Sequence, residues 1–111
     1  MSLRNRYLAV ILNRNMGEVC DALRIVLLKQ GIMEVIVVDS STDQSLESKF
    51  KTIGAIDNNA LEHGYRINRG FNIGLTYAMD NYEFDWIFCF PVDTEIIEED
   101  TKEVAKKRQC L

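Results

Sequence analysis

Apolar and polar positions alternate between two rhythms along the chain. Tyr7 to Leu12 is a short β-rich apolar run, broken by Asn13-Arg14-Asn15. Asn15 and Glu18 have capping-box spacing. Val19, Ala22, Leu23, Val26 and Leu27 then follow at the spacing of one helix face, and Gly31 supplies a stop. Glu34 to Asp39 is a second strand whose centre, Val35-Ile36-Val37-Val38, is continuously apolar, as expected where both faces of a sheet are covered. Asp43 is placed to cap a short helix through Phe50, with Leu46, Phe50 and Ile53 as its inner stripe. A weak strand is expected over Ala55 to Asp57, and a loop over Asn58 to Gly70. Helix resumes near Phe71, with Leu75, Ala78 and Met79 on one face. Trp86 to Phe90 reads as a fourth, buried strand that Pro91 ends by removing a backbone donor. A last helix is expected from Glu95 to Arg108, acidic at its start and basic at its end, in the order that complements the helix dipole.

Repeated strand-helix-strand units predict a three-layer α/β/α fold with a mainly parallel sheet of about four strands. In such sheets ligands bind beyond the carboxyl ends of the strands, where strand order reverses. The segments of interest are therefore Asn13-Arg14-Asn15, Asp39-Ser40-Ser41 and Pro91-Val92-Asp93. Asp39 and Asp93 each follow a strand. A parallel sheet brings both to one rim, where a carboxylate can accept hydrogen bonds from a base or ribose, or hold a hard cation. An Asp after a strand also serves as a plain helix cap.

The chain has 111 residues, which suits a single domain over 1–111. A net charge of −4 excludes a general nucleic-acid surface, which needs a basic patch. A phosphate-bearing small ligand stays admissible, since a metal ion neutralises charge locally. No apolar run is long enough to span a bilayer and no signal peptide is visible, so the expected location is cytoplasmic. Cys20, Cys89 and Cys110 form neither a disulfide framework nor a metal-ligand spacing; Cys20 and Cys89 read as free, buried or partly buried thiols, and the exposure of Cys110 at the very end is open. His63, the one histidine, falls in the central loop and reads as solvated. Phe84, Trp86, Phe88 and Phe90 read as core packing rather than a base-stacking platform.

Three segments, in order, resemble family 2 glycosyltransferases. Val35 to Asp43 is similar to the V-V-D-x-x-S-T-D segment, with one residue fewer in the turn. Gly64-Tyr65 and Arg69-Gly70-Phe71-Asn72-Ile73-Gly74 resemble the glycine-aromatic and R-x-N-x-G segment. Phe90-Pro91-Val92-Asp93-Thr94 resembles the strand-terminal metal motif, with one carboxylate of a D-x-D absent. The resemblance implies the donor half of a GT-A fold and a nucleoside-diphosphate sugar, linked to UDP, GDP or dTDP. It implies that Asp39 contacts the nucleobase or ribose, that Asn13 and Arg14 line the nucleoside pocket, that Arg69 approaches the diphosphate, that a loop at Gly70 lets the backbone come close, and that Asn72 belongs to the same nucleotide-sugar site. It implies Mg or Mn at Asp93. In the family the acceptor and catalytic-base half follows the metal motif, so the expectation here is a donor-binding half truncated before it, with no catalytic residue assigned. Two alternatives stand beside it: a non-catalytic interaction module that self-associates through an uncovered face, and an unrelated phosphate- or flavin-binding doubly wound domain. No G-x-G-x-x-G or P-loop pattern supports the last.

Overall fold

Leu8, Ala9, Val10 and Ile11 have no solvent exposure at all, and that run is the middle of the sheet. A computed structural model of the chain describes residues 5–54 and 66–95. The elements are β1 (Tyr7–Asn13), α1 (Gly17–Lys29), β2 (Glu34–Asp39), β3 (Ile53–Gly54), α2 (Arg66–Asn81) and β4 (Trp86–Pro91). All strand pairs are parallel, in the order β3-β2-β1-β4. This is the expected α/β/α arrangement. Residues of one parity, Ala9, Ile11, Val35 and Val37, meet Cys20, Leu23 and Leu27 of α1. Those of the other parity, Leu8, Val10, Leu12, Ile36 and Val38, meet Ala78, Phe71, Ile73 and Tyr77 of α2. Burial on both faces is why β1 and β2 lack the apolar–polar alternation of a one-sided sheet.

Gly31 ends α1 as expected. It holds φ +101, while Ile32 N donates to Leu27 O and Gly31 N donates to Leu28 O, both at 3.2 Å, which forms a Schellman closure. Other local expectations are corrected. Asn15 does not cap α1; it sits at φ 58 and its amide bonds Thr42 and Asp43 instead. The helix starts one residue later, with Met16 at the cap. Its buried face is Gly17, Cys20, Leu23 and Leu27, leaving Val19 exposed. Asp43 caps only a three-residue 3-10 turn, Gln44–Leu46. Leu46 and Phe50 are exposed rather than forming an inner stripe, and Arg24 lies 4.1 Å over the Phe50 ring.

The third strand is Ile53–Gly54; Ala55 to Asp57 lie outside the described residues, as do His63, Gly64, Tyr65, Cys110 and the expected helix beyond Glu95. α2 begins at Arg66, so Arg69 and Gly70 belong to a helix and not to a loop. It packs through Gly70, Gly74 and Ala78, while Met79 is exposed. A Cβ on Gly70 would stand 2.5 Å from Leu12 Cδ1, and one on Gly74 would stand 2.5 Å from Val10 Cγ1. The small residues let α2 approach the sheet closely. β4 is the other correction. The helices lie over β1 and β2 and leave β4 at the rim of the described sheet, so Trp86 is 57% and Phe88 42% exposed. Cys89 is likewise exposed, whereas Cys20 is buried.

Candidate functional site

The chain runs outward from β1 through β2 to β3, then returns to the opposite side of β1 as β4. Strand order therefore reverses between β1 and β4, and a ligand crevice is expected beyond their carboxyl ends. A cleft of about 290 Å³ occupies that position. Leu12, Met16, Phe71, Pro91 and Val92 give it an apolar wall, and Arg14, Ser40 and Asp93 give it polar groups. A second hollow, of about 330 Å³, lies between the start of α1 and residues 45–49.

Register builds this rim. Asn13 pairs with Asp39 and Leu12 with Pro91, so the ends of β2, β1 and β4 lie side by side. Asp93 follows in the turn after β4, where Thr94 N and Oγ1 both donate to Pro91 O, at 3.1 and 2.7 Å. Val92 is buried in the α1-side core and anchors the turn, while Asp93 is exposed. Asp39 and Asp93 thus share one rim of a parallel sheet.

Their environments differ. Asp39 is 2% exposed, and its carboxylate accepts from Asn13 Nδ2 at 2.9 Å, Ser48 N at 2.8 Å and Ser41 N at 2.9 Å. Burial by itself would raise its pKa. The hydrogen bonds from Ser41, Asn13 and Ser48 outweigh that and hold it below the ordinary carboxylate value. Asn13 is fully buried. Its amide also donates to Ser41 Oγ and Leu46 O, and its Oδ1 accepts from Met16 N at 3.1 Å. Among the described residues no buried side-chain polar atom lacks a partner. Asn13 and Asp39 thus form a hub that ties β1, β2, the 41–48 segment and the start of α1 together.

Arg14 is half-buried, and its Nη1 donates to Ser40 O at 3.2 Å. Ser40 is fixed in turn by its own N and Oγ, both donating to Asn13 O. Of the residues singled out from sequence, the structure brings Arg14 and Asp93 to the cleft directly. Asn13 and Asp39 lie beneath its rim. Gly70 packs on Leu12, one of the wall residues, and Arg69 and Asn72 are exposed on the same helix. Met16, Phe71 and Leu12 escaped sequence reasoning as lining residues. Phe71 lies inside the Arg69–Gly74 segment, and strand order was the missing signal that aims it at the cleft.

Mg prefers octahedral oxygen coordination and usually keeps several waters beside one or two carboxylates and substrate phosphates. Among the described residues no group of three His, Cys, Asp or Glu side chains could hold such an ion, and Asp93 is the one carboxylate among them that lines the cleft. The residues described do not fit a preformed metal centre. Also among them, no helix is long and apolar enough to cross a membrane. Compared with family models, curated proteins and solved structures, the chain finds no match in any of the three.

Proposed function

We propose that the cleft between β1 and β4 binds a nucleoside-diphosphate sugar, and that the chain acts as the donor-binding half of a family 2-like glycosyltransferase in the cytoplasm. The observation that carries this is the coincidence of the strand-order reversal with a cleft bearing Arg14 and Asp93. The apolar wall of Leu12, Met16 and Phe71 suits the flat face of a base, and Arg14 suits an anionic group. Asp93 can accept ribose or sugar hydroxyls. In this scheme Asn13 and Asp39 are positioning residues: they hold the backbone from which Arg14 and Ser40 reach the cleft. No described residue is assigned as the base that would deprotonate an acceptor, so transfer itself requires groups beyond this set. Calorimetric titration of the folded chain with UDP, GDP and dTDP, with Mn present, tests the proposal. Heat from one of them supports it; silence from all three ends it.

A second function is favoured by a separate observation. Trp86 and Phe88 are exposed on β4, whose outer edge has no partner strand among the described residues. Exposed aromatic area on an open edge suits self-association, and a homo-oligomer formed there would be an interaction module independent of the cleft. Sedimentation over a range of concentrations decides it: a monomer throughout removes it.

A further inference from the structure

Arg14 is the one cation among the described residues that lines this cleft, whereas Arg24, Lys29 and Lys49, which also form no ion pair among those residues, do not reach it. Arg6 pairs with Glu83 and Asp85, and Lys51 pairs with Glu47. Arg14 has one hydrogen bond, to the Ser40 carbonyl, and no carboxylate within ion-pair distance among the described residues. A guanidinium has five N–H donors in a planar fork. Four are left to face the cleft or water, beside an apolar wall that strengthens electrostatic attraction. The carboxylates at the same rim are poorly suited to gather a cation. Asp39 is engaged by three protein donors, and Asp93 is the one carboxylate among the described residues that lines the cleft.

We infer that Arg14 supplies the counter-charge for the anionic part of the ligand, so that nucleoside diphosphates bind this cleft without a divalent cation. The planar fork grips two phosphate oxygens, a geometry a lysine does not reproduce. Asp93, without a metal to bridge it to phosphate, lies against the hydroxyl-bearing part of the ligand, where it accepts hydrogen bonds. This inference rests on the nucleotide-binding function proposed for the cleft, and it assigns the task of charge neutralisation there to a side chain.

The test is titration calorimetry of the full chain with UDP, GDP and dTDP, each in EDTA and again in Mn. The tightest nucleotide should bind in EDTA within about threefold of its affinity in Mn, a difference of less than one charged contact. Arg14→Gln should weaken binding in EDTA by about tenfold or more, the scale of a charge-assisted hydrogen bond. Arg14→Lys should fall between the two. Circular dichroism of both variants should match the parent, since Arg14 makes only its one bond to Ser40. Binding in Mn but not in EDTA would overturn the inference and leave the nucleotide-binding proposal standing. Unchanged affinity of Arg14→Gln in EDTA would overturn it as well. Failure of all three nucleotides in both buffers would remove the inference and the proposal together.

Discussion

Replacing Asn13 by Ala tests the hub beneath the cleft. The substitution removes the amide that donates to Asp39 Oδ2 at 2.9 Å and the carbonyl that accepts Met16 N at 3.1 Å. Asp39 stays buried, with two donors in place of three. A hydrogen bond to a charged group contributes about 1.5–3 kcal/mol, and a lost cap-like bond to a helix start about 0.5–1 kcal/mol more. The expected loss is therefore about 2–4 kcal/mol, a large share of the roughly 5–15 kcal/mol that holds a domain of this size together. Thermal unfolding should fall by roughly 8–16 °C. Urea unfolding gives the free energy directly, followed by circular dichroism and by Trp86, the only tryptophan.

Acid supplies an independent readout. The folded pKa of Asp39 lies below its ordinary value of 3.8, so its contribution to stability is fully present above that value. It is lost as pH falls through the folded pKa. Asn13→Ala removes one of the bonds that lower the pKa, so the variant should be less stable near neutrality and should lose less on going to acid. Asp39→Asn should remove most of this acid dependence. In its background Asn13→Ala should cost less than in the parent, because the two residues are coupled. A loss under about 0.5 kcal/mol for Asn13→Ala, within the range of an ordinary surface change, would refute the hub. So would full additivity with Asp39→Asn.

Further outcomes are expected. Gly74→Ala should destabilise the fold by about 1–3 kcal/mol, because its methyl group would collide with Val10 and push α2 off the sheet; urea midpoints check this. Gly31→Ala should cost roughly 1 kcal/mol or more for a side chain forced to φ +101, read the same way. An alkylating reagent at pH 8 should label the exposed Cys89 and spare Cys20, whose burial pushes its thiol up to about 12; mass spectrometry of the peptides before and after denaturation distinguishes them. If β4 mediates self-association, Trp86→Lys should lower the sedimentation coefficient at high concentration.

Much of this architecture is legible in the chain because its signals are redundant. β1 and β2 are unbroken apolar runs with a glycine-terminated helix between them, and a parallel pair needs such a crossover. Where one signal serves two outcomes, legibility ends. An aromatic run such as Trp86–Phe90 looks alike in a central and in an edge strand, because it says nothing about which elements cover it. The contact face of α2 was partly hidden for a different reason. The apolar pattern selects Leu75, Ala78 and Met79; Ala78 is indeed buried, but Met79 is exposed and the close approach to the sheet is made at Gly70 and Gly74. The candidate site was half legible. Its rim follows from strand ends alone. The division of labour between Asp39 and Asp93 does not, since Asp39 owes its burial to Asn13 and to Ser48, which approach only once the 41–48 segment folds back.

The most direct test of the central claim is to map amide chemical shifts of the labelled chain during titration with the tightest-binding of UDP, GDP and dTDP. Binding at the point where strand order reverses should move the amides of Arg14, Ser40, Phe71, Val92 and Asp93 together, with one saturation curve. Shifts gathered instead around residues 45–49 and the start of α1, or no shifts at saturating nucleotide, would contradict it.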